Sequence, residues 1–272
     1  MLVAQITDTH IKRPGHLAYG VVDTTEMLKA CVKHVLALDP QPDLIVLTGD
    51  LVDMGTAEEY AHLRTLLAPL LPRLLVIPGN HDERHALAGA FPEQEWRKDV
   101  PYLQYVCTRG PLRIIGLDTV VSGEGRGALC EQRLGWLERT LMAAPAAPTL
   151  ILMHHPPFVT GIAHMDRIGL AGREAFAAIV AQHPQVRLIL CGHLHRSIST
   201  QVGGRRALTS PSPAHQVAFD LRADGPSCFR MEPPGYMLHA WNGEDFVSHA
   251  VAIGNYVGPY PFFDAQGNLL DG

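Results

Sequence analysis

Leu2-Val3-Ala4-Gln5-Ile6-Thr7-Asp8-Thr9-His10 begins as an apolar run of strand length and breaks directly into Asp-x-His. The same event recurs four times along the chain. Residues 44–48 run into Gly49-Asp50, 74–77 into Gly79-Asn80-His81-Asp82, 150–153 into His154-His155, and 186–191 into Gly192-His193-Leu194-His195. Each run is short and apolar enough to be a buried strand. Between the first two, residues 24–38 place Met27, Leu28, Cys31, Val32 and Val35 at helical spacing. Between the second and third, Thr56 and Glu59 fit a capping box, and Tyr60, Leu63, Leu66 and Leu67 continue an amphipathic helix. Strand, helix, strand, helix, strand predicts α/β layering with a parallel element. Residues 112–117 add a strand, and 132–142 and 173–182 add helices.

In an open α/β sheet the carboxyl ends of the strands form the binding crevice. Five separate segments are therefore expected to deliver Asp, Asn and His side chains to one edge. Glycines at 49, 79 and 192 suit turns where backbone approaches a ligand closely. Singly, each piece has a plainer reading. Asp-x-His is an ordinary strand exit, Asn80 an ordinary turn residue, and His154-His155 before Pro156-Pro157 a polar strand end. All five in order point to a metal-binding edge.

After Cys191 the pattern changes. Residues 197–202 and 205–208 flank Gly203-Gly204, and 236–241 and 246–251 flank Asn242-Gly243, both read as two-residue hairpin turns. The C-terminal third is thus expected to be antiparallel β. Residues 210–235 form a long Pro-, Gly- and Ser-rich loop, and 254–272 an aromatic tail. The expected organisation is a core over 1–200, then hairpins, a pocket-covering loop and a tail over 201–272, in the same domain or as a small cap or dimerisation subdomain.

Two hundred and seventy-two residues, 47% apolar and 18% charged, suffice for a sizeable core. The net charge of −5 argues against a partner bound mainly through nucleic-acid phosphates. No apolar run reaches membrane-spanning length, and the first residues lack the pattern of a secretory signal. Five scattered cysteines without a Cys-x-x-Cys pair argue against a disulfide framework or a thiolate zinc site. These features predict a cytoplasmic protein with no membrane partner.

The ordered motifs resemble the calcineurin-like metallophosphoesterases, most closely the bacterial class III cyclic nucleotide phosphodiesterases and the binuclear glycerophosphodiesterase. Tyr19-Gly20, His154-His155-Pro156-Pro157 and His215-Gln216-Val217 extend the likeness toward the latter. No tyrosine lies in the segment around Asp50, unlike the purple acid phosphatases. The resemblance implies two mixed β-sheets flanked by helices. It also implies two divalent metal ions, with Asp8, His10 and His195 on one, Asn80, His154 and His193 on the other, and Asp50 bridging both. His81 would sit beside the phosphate and share the catalytic role with Asp50. Tyr19 and His215 would face the substrate. Asp53 and His155 match no ligand position and are read as supporting residues. The rim candidates His16, Arg84, His85, Arg126 and His164 read as solvated loop residues.

Two such cations generate a hydroxide and clamp an in-line displacement. Ligation by nitrogen and oxygen alone suits manganese, iron, cobalt or zinc. Counting ions, carboxylates and hydroxide leaves about +1 at the centre, which a diester monoanion would neutralise. The expected function is a hydrolase of small phosphodiesters, either cyclic nucleotides or glycerophosphodiesters. Phosphomonoesterase, nuclease and non-catalytic scaffold are the competing readings. The exposed aromatics of the tail raise the expectation of a homo-oligomer.

Overall fold

The computed structural model describes residues 1–98 and 101–270. In chain order the strands are β1 (Leu2–Ile6), β2 (Leu44–Thr48), β3 (Leu74–Ile77), β4 (Tyr105–Arg109), β5 (Leu112–Leu117), β6 (Gly127–Ala128), β7 (Thr149–Met153) and β8 (Leu170–Ala171). They continue as β9 (Val186–Cys191), β10 (Ser199–Val202), β11 (Arg205–Thr209), β12 (Gln216–Val217), β13 (Phe229–Arg230), β14 (Gly235–Trp241) and β15 (Phe246–Ala252). The helices are α1 (Thr24–Leu36), α2 (Ala57–Leu67), α3 (Arg84–Ala90), α4 (Glu131–Met142), α5 (Ala163–Asp166) and α6 (Arg173–Ala181).

Two mixed sheets face each other, in the orders β15-β14-β1-β2-β3 and β10-β11-β9-β7-β5-β4. Side-chain alternation along each strand builds the layers. Val3, Val46, Leu75 and Ile77 of the first sheet meet Ile114, Leu150, Leu188 and Leu190 of the second. The opposite faces pack on helices: Ala4, Ile45 and Val76 lie with Leu28, Val35 and Leu63 of α1 and α2, and Ile115, Ile151 and Ile189 with Leu137 and Phe176 of α4 and α6. The capping box of Thr56 and Glu59 forms.

β1, β2 and β3 run parallel, as do β5, β7 and β9. Both sheets therefore send their carboxyl ends to one rim. The C-terminal hairpins complete the sheets. β11 adds in parallel to β9, and β14 adds antiparallel to β1. Gly203 and Gly204 both take left-handed φ, as a two-residue turn requires. The turn at Asn242 differs from expectation. It spans residues 242–245, because the Asn242 Oδ1 accepts the N–H groups of Glu244 and Asp245, each at 2.9 Å, and opens the loop to four residues. α1 stops at Leu36, short of the expected 38, ahead of Pro40. No helix among the described residues is long and apolar enough to cross a membrane.

Candidate metal centre

Asp8 and His10 leave β1, Asp50 leaves β2, Asn80 and His81 follow β3, His154 leaves β7, and His193 and His195 leave β9. The sandwich brings all of them together. His10 Nε2 lies 3.2 Å from His195 Nε2 and 3.7 Å from Asp50 Oδ2. His195 Nε2 lies 3.5 Å from Asp8 Oδ1. On the other side of Asp50, His154 Nε2 lies 3.4 Å from Asp50 Oδ2 and 3.1 Å from Asn80 Oδ1. Asp50 thus stands between two clusters of donors.

Among the described residues, the non-glycine positions with left-handed φ are Asp8, His10, Tyr19, Asp50, His193 and His195. Every one belongs to the predicted site. Such backbone is costly for side chains carrying a Cβ and persists only where the surroundings over-determine it. It lets the strand exits turn back so that alternate residues face one point. Glycine serves where even a Cβ is too much. A Cβ on Gly79 would collide with Asp50, and one on Gly192 with Thr7, the Thr48 carbonyl and His154.

The ring nitrogens are sorted by their partners. His154 Nδ1 donates to the Thr48 carbonyl at 2.8 Å, His195 Nδ1 to the His215 carbonyl at 2.9 Å, and His10 Nδ1 faces Asp53 Oδ1 at 3.3 Å. In all three, Nε2 remains as the lone-pair nitrogen toward the cluster, the arrangement that orients metal-binding histidines. His193 is turned the other way: its Nε2 donates to the Ile168 carbonyl at 3.2 Å, which leaves Nδ1. Asp8 is held by the Thr7 hydroxyl and by the backbone N–H of His193. His155 has both ring nitrogens engaged, Nδ1 with Thr119 Oγ1 at 2.8 Å and Nε2 with the Gly125 carbonyl at 3.1 Å.

Left to themselves these groups balance poorly. Burial pushes Asp8 up to about 6 against the pull of His154. Burial would also raise Asp50, but His154 and His81 hold it well below the usual carboxylate range. Burial would lower His154, yet the adjacent Asp50 overrides it and raises the imidazole to about 9. Burial, with His10 beside it, takes His195 down to about 3, and burial with His155 takes His193 well below its usual value. His193 and His195 thus keep neutral rings with lone pairs, while Asp50 draws onto His154 a proton that a bound cation would displace. Carboxylates and imidazoles in this arrangement fit divalent cations held by nitrogen and oxygen.

A cavity of about 410 Å³ opens over this cluster. His81, Tyr19 and His215 line it, as expected. His81 donates Nδ1 to the Asp53 carbonyl at 2.8 Å, and its backbone N–H donates to Asp50 Oδ1 at 2.8 Å. His215 packs against His195, Tyr19 and Phe229 at ring separations of 4.6, 5.2 and 5.1 Å. Asp53, read as a supporting residue, bonds Lys12 and His10. Among the rim candidates, His164 lines the cavity. Arg84 is engaged by Asp118, and Arg126 by Glu124. His16 and His85 lie in separate surface hollows.

The calcineurin-like phosphoesterase family model matches residues 1–197. The chain belongs to the calcineurin-like phosphoesterase family. The chain is 43% identical over 273 residues, with both chains fully covered, to the probable glycerophosphodiester phosphodiesterase GpdQ of Arcobacter nitrofigilis. It is 33% identical to the 3',5'-cyclic adenosine monophosphate phosphodiesterase CpdA of Escherichia coli, over 79% of this chain and 76% of that one. The dimetal phosphatase of Danio rerio shares the fold at a TM-score of 0.68 and 17% identity, covering 93% of this chain and 96% of that one.

Sequence reasoning about this calcineurin-like phosphoesterase missed two groups. The buried Asp82 carboxylate accepts from the N–H groups of Gly79 and Leu51 and from the Tyr60 hydroxyl, and so ties the 79–82 turn to the exit of β2. The Gly79-to-Asp82 run was visible, but its last carboxylate carried no separate signal. Met165, Ile168, Val217 and Phe229 form an apolar wall of the cavity. Val217 and Phe229 lie in the expected pocket-covering loop, but all four come from irregular segments and very short elements without periodicity, so nothing marked Met165 and Ile168 or singled out the wall.

Proposed function

We propose that this calcineurin-like phosphoesterase hydrolyses small phosphodiesters, cyclic nucleotides or glycerophosphodiesters, at a two-metal centre. Asp8, His10 and His195 would hold one cation, Asn80, His154 and His193 the other, and Asp50 both. The observation that carries this reading is the convergence of three Nε2 atoms on Asp8 and Asp50 while each Nδ1 is engaged elsewhere. Cations held there supply Lewis acidity to the phosphoryl group and activation of water.

The chain's own residues do the rest. The Asp53 carbonyl fixes the His81 ring through Nδ1–H, so that the ring, in its imidazolium form, would give its Nε2 proton to the leaving oxygen or hydrogen-bond a phosphoryl oxygen. Tyr19 and His215 close the cavity wall and orient the ester group. Among the described residues no Lys or Arg lines the cavity, which supports a substrate with one negative charge over a monoester dianion.

Residues 1–200 serve as the catalytic core, and 201–272 complete both sheets and cover the cavity through the 210–235 loop. The tail supports a homo-oligomer, since Tyr256, Val257, Tyr260 and Phe262 are exposed. All five cysteines are unpaired, in keeping with a cytoplasmic enzyme.

The test is metal content of the purified protein together with turnover of bis(p-nitrophenyl) phosphate, its monoester, cyclic AMP and glycerophosphoethanolamine under manganese, iron, cobalt and zinc. Two metals per chain and a higher kcat/KM on a diester support the reading. Less than one metal per chain, or equal efficiency on the monoester, overturns it.

A further inference from the structure

We propose that Gln5 is a positioning residue for the metal centre, acting as a two-pronged clamp between strand exits of the two sheets. The inference rests on the reading of those exits as metal ligands. Gln5 is fully buried in the middle of an otherwise apolar strand, where a polar side chain is stable only if its hydrogen bonds are made. They are made, and their partners are telling. The amide nitrogen donates to Thr48 Oγ1 at 3.1 Å and to the Cys191 carbonyl at 2.8 Å. Thr48 ends β2 two residues before Asp50, and Cys191 ends β9 two residues before His193.

One NH₂ group therefore holds two ligand-bearing exits, one on a neighbouring strand and one across the sandwich. The amide oxygen is engaged as well. His239 Nε2 donates to Gln5 Oε1 at 3.1 Å, and His239 Nδ1 accepts from Ser248 Oγ at 2.8 Å. This fixes the amide so that both hydrogens face the exits. The two sheets are in close contact just above the clamp. There a Cβ on Gly192 would strike Thr7 and the Thr48 carbonyl. That same carbonyl holds His154 Nδ1. A shift of β2 against β9 would thus move Asp50, His193 and His154 together.

Gln5→Met keeps the length of the side chain but has no donor. It leaves the buried Cys191 carbonyl and Thr48 hydroxyl unmatched. Thr48→Val removes only one prong and keeps the carbonyl that His154 needs. Metal retention is read by competition with a chromogenic chelator on manganese-loaded protein, alongside thermal melting. The Gln5→Met protein should lose metal about 10-fold more readily or worse, the range seen when outer partners of ligands are removed. Thr48→Val should show a smaller loss in the same direction. The double variant should lose no more than Gln5→Met alone, because both act through one clamp.

A purely structural Gln5 would lower the melting temperature and leave retention unchanged, and that result overturns the proposal. Additive losses in the double variant overturn it too. Should Gln5→Met fail to fold, Thr48→Val decides, and wild-type retention in it refutes the clamp. A wild-type protein that retains no metal overturns the metal-centre reading as well as this one.

Discussion

His154 and Thr48 are joined across the two sheets: the imidazole Nδ1 donates to the Thr48 carbonyl at 2.8 Å. The bond sets the tautomer and aims Nε2 at Asp50, 3.4 Å away. The crowding around it leaves no room for a side chain at two neighbouring glycines. The Thr48 carbonyl, Thr7 and the His154 ring occupy the space a Cβ on Gly192 would need, and Asp50 occupies that of Gly79.

Substitutions at these two glycines should act on the metals before they act on the fold. In Gly79→Ala the new methyl must displace Asp50, and in Gly192→Ala it must displace Thr7 and the Thr48 carbonyl that holds His154. Both variants should purify with less than half the wild-type metal content and lose at least about 10²-fold in kcat, in line with misplaced catalytic groups. Elemental analysis and steady-state kinetics read the two effects. Wild-type metal content in either variant would show that the rim relaxes around a methyl.

His239 makes stability depend on pH in a defined window. Burial, with Arg206 and His249 adding, lowers its pKa from 6.5 to about 3. Below about 6.5 the unfolded chain takes up a proton that the folded His239 refuses. This contribution to stability is therefore intact at pH 7 and lost as the pH falls toward 3. The loss is about 1.4 kcal/mol per pH unit. His239→Gln removes it. Urea unfolding at pH 7, 6 and 5 should show the wild type losing more stability per unit than the variant, and parallel pH dependences would rule His239 out as the cause.

The strand exits were legible because each pairs a local signal, an apolar run, with an abrupt polar break. Asp8, His10, Asp50, Asn80, His81, His154, His193 and His195 all stand at such breaks, and the structure gathers all of them. The pairing of the C-terminal hairpins was not legible. Both β11 beside β9 and β14 beside β1 are long-range choices decided by which edge is open. The left-handed φ at Asp8, His10, Asp50, His193 and His195 ran against local preference, since residues with a Cβ rarely adopt it. It is sustained by tertiary contacts, such as the bonds from the His193 N–H to Asp8 and from the His10 N–H to the Asp50 carbonyl. Asn242-Gly243 misled because the side chain of Asn242 turns the loop itself and so lengthens it.

The tail was expected to complete the cavity or an oligomer contact. The described part of it, residues 254–270, contributes no residue to the cavity, and residues 271 and 272 lie outside the described residues. Tyr256, Tyr260 and Phe262 are exposed. Truncation after Ile253 should therefore leave kcat on a small diester within about twofold and lower the molar mass in solution. Light scattering and kinetics on the shortened chain decide this. An unchanged mass would remove the tail from the interface, and a large fall in kcat would place it at the cavity.

Asn80 and His81 are adjacent yet should fail differently. Asn80 Oδ1 lies 3.1 Å from His154 Nε2, so its loss should release the second cation selectively. Asn80→Asp keeps an oxygen and adds a charge, and should hold that cation more tightly while lowering the Lewis acidity offered to phosphate. The His81 ring is anchored through Nδ1 to Asp53 outside the cluster. His81→Ala should keep both metals and lose turnover by about 10²–10⁴-fold, the usual worth of a positioned proton donor. The loss should shrink on an aryl diester, whose leaving group departs without a proton, and stay full on an alkyl diester. Metal stoichiometry and kcat on both esters separate the possibilities. Loss of metal from His81→Ala would make it a ligand, and equal losses on both esters would leave His81 only the placing of the phosphoryl group.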